Sequence, residues 1–405
     1  EYEPLEGHPL PDPEDLSMIM YTSGSTGEPK GVMHTHRSIA AAANNAKKAL
    51  ELTDHERCLS YLPLAHAFER AVVFCGSLAA GGTVYFAESL DTFLTDLQRA
   101  RPTIFQSVPR LWLKFQAGVH QKLPPKKLER LLKIPILGNI VRKKVLTGLG
   151  LQHTRLALSG SAPIPPELIH WYRDLGLELL EGYGMTENFA YSHFSQPGRA
   201  RVGYVGEVQI GVECRLSDEG EILVKSPADM KGYFKRPEDT KEAFTDDGFL
   251  KTGDRGEVDE MGRLRITGRT KELFKTSKGK YIAPAPIENI INNHEHIELS
   301  CVSGSGQATA YGLLMLSEEL YPKLSDAALR ERLEDELTGL LNEVNAKVEG
   351  FEKLGFFAVS SRPWTIEEGL LTPTMKIKRG NLEDAFHPFL DQWYESGKKV
   401  IWQED

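Results

Sequence analysis

Between Tyr21 and Gly31 the chain reads Tyr-Thr-Ser-Gly-Ser-Thr-Gly-Glu-Pro-Lys-Gly, with three glycines, four hydroxyl side chains besides Tyr21 and one lysine in eleven residues. Glycines let the backbone take φ > 0 and approach a ligand closely. Successive N–H groups in such a loop form a concave nest for anions. Thr22, Ser23, Ser25 and Thr26 add hydroxyls around Gly24 and Gly27, and Lys30 adds a positive charge. Together they describe a lid-like cradle for a polyphosphate. It is not the G-x-x-x-x-G-K-[ST] loop that opens directly into a helix, because Pro29 has no N–H to donate and fixes φ. A Gly/Ser surface turn has the same composition, so the stretch alone leaves both readings open.

The surroundings predict an α/β fold. Leu16–Tyr21 reads as a strand entering the loop, and Thr35 is placed to cap an alanine-rich helix from His36 to about Leu50. Further strands are expected at Leu59–Leu62, Thr83–Phe86, Thr103–Ser107, Arg155–Ser159 and Leu177–Leu180, with helices between them. That alternation points to a mostly parallel sheet. Ala71–Ala80 reads as a buried helix and Thr83–Ala87 as a buried strand. From Val202 the texture changes to short strands divided by Gly/Asp turns, which predicts an antiparallel or barrel-like subdomain. Beyond Arg269 a smaller unit is expected. Its helix is capped by Ser325 and carries Leu329, Leu333, Leu337, Leu341 and Val344 on one face.

With 405 residues the chain suits two or three domains. A net charge of −9 argues against a general affinity for nucleic acid. Cys58, Cys75, Cys214 and Cys301 form no C-x-x-C pair, which fits a reducing, cytoplasmic setting better than a disulfide framework. The longest uncharged run, Ala71–Ala87, is split by Gly81-Gly82 and falls short of the roughly 20 apolar residues a membrane span needs. Gln121–Leu146 holds eight Lys/Arg against one Glu. It reads as a solvated helical hairpin or as a basic patch for peripheral membrane contact.

Other glycine-rich strand ends follow the first. Gly160-Ser161-Ala162-Pro163 ends one strand, and Glu181-Gly182-Tyr183-Gly184-Met185-Thr186-Glu187 ends the next. Ligands of α/β sheets bind outside the carboxyl ends of strands. Thr186 offers a hydroxyl to a phosphate. Glu187 offers a hard oxygen suited to Mg²⁺, which takes carboxylates together with substrate phosphates; taken singly it is also an ordinary surface carboxylate. Asp254 and Arg269 can share two ribose hydroxyls or simply pair as surface charges. Lys376, beside Pro373 in Leu371–Arg379, can reach a phosphoryl group or belong to a solvated basic loop.

The ordered set Tyr21–Gly31, Ser159–Pro163, Gly182–Glu187, Gly248–Asp254, Gly268–Arg269 and Thr372–Arg379 resembles the adenylate-forming superfamily of acyl-CoA synthetases, adenylation domains and luciferases. Leu62-Pro-Leu-Ala-His-Ala-Phe-Glu69, Arg101–Trp112 and Gly268–Lys275 look like its long-chain fatty acyl-CoA synthetase branch. The resemblance implies a large AMP-binding core at 1–270, with 201–270 as a β-rich subdomain, and a small mobile α+β C-terminal domain at 271–405. It also implies ATP, Mg²⁺ and CoA. A fatty carboxylate attacks the α-phosphate of ATP to give acyl-AMP and pyrophosphate, and the CoA thiol then displaces AMP. By family position Thr22–Lys30 cradle phosphates, Ser161–Pro163 and Glu181–Tyr183 surround the adenine, and Gly184 and Met185 also belong to the nucleotide site. Thr186 contacts phosphate, Glu187 holds Mg²⁺, and Asp254 and Arg269 hold the ribose. Lys376 bridges the carboxylate and the α-phosphate, and His66 stands beside the carboxylate. Lys271 falls at the hinge between the domains, where many relatives carry Asp. Lys278 and Gly279 fall at the CoA tunnel. Long-chain relatives carry a substantial region before the glycine loop, so the resemblance implies an N-terminally incomplete chain. An adenylation unit that loads a carrier protein, and an inactive nucleotide- or fatty-acid-binding fragment, remain alternatives. The sequence does not give an oligomeric state.

Overall fold

Runs of β-branched and leucine residues bounded by Gly and Pro become short strands, and these collect into several sheets. The computed structural model describes residues 7, 9–22, 29–372 and 376–403. The chain divides into two units, Glu1–Thr252 with Gly256–Ile266, and Gly253–Arg255 with Thr267–Asp405.

The first unit is built on a five-stranded sheet. Ile104–Ser107, Leu156–Ser159 and Leu179–Tyr183 run parallel, with Ser107 opposite Ser159 and Ser159 opposite Glu181. The first two are buried at every residue, as strands covered on both faces must be. Two short strands, His193–Phe194 and Glu207–Val208, extend the sheet antiparallel. Helices Pro109–Lys122 and Pro166–Asp174 each start with proline in the first turn, where its missing N–H costs nothing.

Trp112 fastens this layer. Its indole is fully buried and donates to the Leu158 carbonyl at 3.3 Å. Tyr172 returns a bond from its hydroxyl to the Trp112 carbonyl at 2.8 Å, ring edge to ring face at 4.9 Å. The strand that delivers Ser159 and Gly160 is therefore held from its helical side.

A three-stranded sheet stands at the glycine-rich stretch. Lys30–Thr35 pairs with Leu16–Thr22 on one edge and with Gly232–Tyr233 on the other, antiparallel in both cases. The strand at Lys30–Thr35 was not anticipated from the sequence. Thr35 caps helix His36–Ala49 as expected, in a reciprocal box with Ser38.

Four expectations need correction. The β-rich stretch is not a barrel: Glu213–Leu216, Glu221–Lys225, Leu250–Val258 and Leu264–Arg269 form an open four-stranded sheet. Ala71–Ala80 is not one buried helix. It begins as a π-helix over Glu69–Cys75 and continues as Gly76–Ala80, leaving Phe74 and Leu78 exposed. Thr83–Phe86 is not buried either. Among the described residues it pairs only with Arg57–Ser60, and Tyr85 and Phe86 are exposed. The helix cap is Asp326 rather than Ser325, because the Asp326 carboxylate reaches the N–H groups of Ala328 and Leu329.

That helix, Ala327–Lys347, buries Leu333, Leu337, Leu341 and Val344 in the second unit, as the four-residue spacing predicts. It covers a sheet ordered Ile297–Ser303, Ala310–Leu316, Leu354–Val359 and Val400–Trp402. The pairing is antiparallel for the first pair and parallel for the others. Among the described residues no helix is long and apolar enough to cross a membrane.

Trp112→Ala removes a large buried ring and the indole hydrogen bond to the Leu158 carbonyl. Truncating a buried tryptophan costs about 3–5 kcal/mol, and chemical denaturation followed by near-ultraviolet circular dichroism should show a loss of that size.

Candidate functional site

Three neighbouring segments of the first unit build the site. The parallel sheet delivers Ser159–Pro163 and Glu181–Glu187 at adjacent strand ends, in the register given above. Ser161 adopts a left-handed φ of 70°, a turn conformation uncommon outside glycine. A Cβ placed on Gly160 would lie 3.5 Å from the Phe68 ring and 3.4 Å from the Gly182 carbonyl. That contact brings the segment carrying His66 against the same strand ends. His66 is half-buried and its Nδ1 accepts the Phe68 N–H at 3.3 Å.

Beyond the strand Leu179–Tyr183 the chain turns tightly. Gly184 is obligatory there, since a Cβ would stand 2.5 Å from the carbonyl carbon of Ala190. Thr186–Asn188 forms a single 3₁₀ turn, tied by Asn188 Oδ1 accepting the Met185 N–H at 2.9 Å. Phe189 and Ala190 follow with φ of 53° and 55° and reverse the chain.

The strand Lys30–Thr35 meets this turn. His34 is fully buried, and its Nε2–H donates to the Thr186 carbonyl at 2.8 Å. Burial lowers its pKa to about 4, against a smaller opposing effect of that bond, so the ring is neutral near pH 7. Glu187 is anchored at both ends. Its carbonyl accepts the Met230 N–H at 2.7 Å, and its Oε1 accepts the Tyr233 hydroxyl at 2.8 Å. Desolvation, then the Glu187 charge, push the Tyr233 phenol upward, so it remains a neutral donor. Lys30 lies over the face of the same ring, 5.1 Å from its centroid, and pairs with Asp239. One tyrosine thus touches both a cationic and an anionic side chain.

Glu181 is buried, and desolvation raises its pKa to about 8 despite an opposing backbone hydrogen bond from Gly203. Glu69, on the π-helix, is also buried and raised by desolvation, and the Gln106 amide donates to it at 3.3 Å.

In the second unit Arg269 Nε donates to Asp254 Oδ1 at 3.0 Å, which joins the two expected ribose ligands. Lys271 lies in a 3₁₀ turn, Thr270–Glu272. Gly279 closes the turn between Phe274–Lys275 and Tyr281–Ile282 with φ of 78°, and Lys278 is exposed beside it. Lys376 is fixed through its backbone: its carbonyl accepts the Thr372 N–H at 2.8 Å, and its N–H donates to Thr372 Oγ1 at 3.0 Å. Ser23–Gly27 and Pro373–Met375 lie outside the described residues.

Tyr233, His34 and Asp239 were not singled out from the sequence. Gly232-Tyr233 offered only a glycine–aromatic pair after a loop, and the two other residues carried no local pattern.

The AMP-binding enzyme family matches residues 2–234, and its C-terminal domain matches residues 272–398. The chain belongs to this family. It is 31% identical to fatty acyl-CoA synthetase A of Dictyostelium discoideum over 97% of its own length and 66% of the relative's. It is 33% identical to human long-chain-fatty-acid–CoA ligase 1, over 96% of this chain and 62% of the ligase. The chain thus spans a little under two thirds of the length of these relatives. Among solved structures it is similar to the adenylation domain of a carboxylate reductase from Mycobacterium chelonae, at 25% identity and a TM-score of 0.77, covering 97% of this chain and 62% of that one. ATP-bound MatB from Rhodopseudomonas palustris gives 27% identity and a TM-score of 0.70, covering 93% and 69%. The expected adenylate-forming α/β architecture, with parallel sheets and a C-terminal domain, is therefore present.

The Glu181 pKa carries a pH dependence for this AMP-binding enzyme. The folded protein keeps the Glu181 proton up to about pH 8, while an unfolded chain releases it near the ordinary 4.5. Between those values the folded state binds more protons, so stability falls as pH rises. Glu181→Gln should flatten this decline between about pH 5 and pH 8 in thermal melts; an unchanged slope would show that the carboxyl ionises normally.

Proposed function

We propose that this chain activates a long-chain fatty acid with ATP, forming acyl-AMP and pyrophosphate, and then transfers the acyl group to the thiol of CoA with release of AMP. The reading is supported by membership of the AMP-binding family and by long-chain ligases among its relatives. The contact chain Lys30–Tyr233–Glu187 carries it, because a lysine and a carboxylate held on one side chain suit a polyphosphate and its cation.

The residues fit Mg²⁺. Glu187 Oε1 is taken by Tyr233, and its other oxygen is left for a hard cation that fills its remaining positions with phosphate and water. When bound, Mg²⁺ would offset charge on the phosphate oxygens. Lys30 would hold the outer phosphates with Thr22 and Ser23–Gly27. Thr186 would donate its hydroxyl to phosphate while His34 fixes its carbonyl. Ser161–Pro163 and Glu181–Tyr183 would enclose the adenine, with Asp254 and Arg269 on the ribose. Lys376 would neutralise charge where the carboxylate meets the α-phosphate, a task of positioning and electrostatics.

The domain boundary near 270, the hinge at Lys271 and the placing of Lys278 and Gly279 at the CoA tunnel belong to the same reading. Rotation about Lys271 would exchange Lys376 for the Thr276–Tyr281 turn between half-reactions. A fatty substrate partitions into bilayers, so contact with a membrane surface is also part of it.

Incubation with ATP, Mg²⁺ and a fatty acid panel, with and without CoA, tests the proposal. AMP release that requires both fatty acid and CoA is expected. Pyrophosphate exchange without CoA turnover would point instead to a carrier-loading unit, and no exchange to a binding fragment. Lys376→Ala should lower acyl-AMP formation by about 10²–10³-fold while ATP binding persists in calorimetry. Tyr233→Phe should weaken Mg²⁺-dependent ATP binding about tenfold, the loss expected for a hydrogen bond to a charged group.

A further inference from the structure

The basic stretch at 121–146 contrasts with the negative net charge of the chain. In the structure it forms two helices, Pro125–Leu132 and Leu137–Gly148, that pack against each other. They are rigidly joined. Leu128 is buried, and a Cβ on Gly138 would lie 2.5 Å from the Leu132 carbonyl oxygen. Arg142 donates to that same carbonyl at 3.2 Å and to the Asp174 carbonyl at 2.7 Å, which fastens the pair to the body of the first unit.

The connection between the helices is apolar and points outward. Ile134, Ile136, Leu137 and Ile140 are 46%, 78%, 39% and 58% exposed. Ile136 is also strained. It has φ 66° and ψ −57°, and the Leu137 N–H donates back to the Pro135 carbonyl at 2.7 Å. That geometry is the rare γ-turn with positive φ, a poor conformation for a β-branched residue. Glycine would adopt it at no steric cost. The tip therefore carries two unfavourable features, solvated apolar surface and backbone strain, and neither improves the packing of the fold.

Positive charge flanks the tip on both sides. Lys126 and Arg130 lie four residues apart on the first helix, and Lys144 follows Ile140 at the same spacing on the second. All three cations are exposed, as is Lys143. The acid of the segment, Glu129, is paired with Lys133 at 2.5 Å.

We propose that this tip docks on an anionic lipid bilayer, with Ile134–Ile140 entering the boundary between headgroups and acyl chains and the lysines and arginine at the lipid phosphates. Aliphatic residues ringed by basic ones are the pattern of interfacial helices, and anionic lipid supplies the complementary charge. A protein partner would favour aromatic anchors in the centre of the patch, and the tip has none. The inference rests on the membrane contact included in the proposed function, but its test uses neither nucleotide nor fatty acid. Failure of vesicle binding would leave the ligase assay unaffected, and failure of that assay would leave vesicle binding unaffected.

The test is co-sedimentation of the full chain with phosphatidylcholine vesicles, pure or doped with phosphatidylglycerol. Binding is expected to the doped vesicles, weakened by salt. Ile136→Gly with Ile140→Gln should cut partition at least tenfold, on the order expected for withdrawing two aliphatic side chains from apolar surroundings. The melting temperature should hold, because the glycine relieves the backbone. Lys143→Ala and Lys144→Ala should each cost about fivefold. No binding to doped vesicles, or binding of the Ile136→Gly/Ile140→Gln variant equal to that of the parent, overturns the proposal; the first result would turn attention to an acidic protein as the partner.

Discussion

The strand Lys30–Thr35 is hydrogen-bonded along both edges, to Leu16–Thr22 and to Gly232–Tyr233. Its position is thus set from two sides. Every charged or polar group it carries inherits that position: Lys30 at one end, and His34 with the helix-capping Thr35 at the other. His34 reaches across to the Thr186 carbonyl, and the neighbouring strand brings Tyr233 to Glu187. The parallel sheet supplies strand ends, but the three-stranded sheet aligns them with the lysine. Without that second sheet, Lys30 would have no fixed position near the Glu187 turn.

Burial works on the site in a consistent direction. His34 is held neutral, Tyr233 stays protonated and Glu181 resists ionisation, each chiefly because a charge there would be stripped of water. Lys30, paired with Asp239, and Glu187, held by the Tyr233 hydroxyl, are the two side chains that face a polyphosphate and its cation in the proposed reaction. Electrostatic interactions are stronger where water is excluded than in bulk solvent.

Much of this was legible in the sequence because the relevant signals are local. Glycine clusters after apolar runs marked the strand ends, and Thr35 marked the start of an alanine-rich helix. The four-residue leucine spacing of Ala327–Lys347 foretold its buried face. What escaped was non-local. Tyr233 lies 46 residues from Glu187, His34 lies 152 from Thr186 and Lys30 lies 209 from Asp239. No periodicity encodes such pairings; they depend on which sheet edges meet. Thr83–Phe86 misled for a related reason. Its composition suits an interior strand, and only the sheet order reveals that it pairs on a single side.

Tyr233 also has a consequence for how substitutions combine. Its hydroxyl belongs to the carboxylate and its ring to the lysine, so removing either partner changes what the other experiences. Changes at residues 30 and 187 share a neighbour and should not add as independent sites do. A swap that looks tolerable at one position can become damaging, or harmless, once the other has changed. Lineages that alter this corner would therefore be expected to alter the pair and the tyrosine in concert rather than one residue at a time.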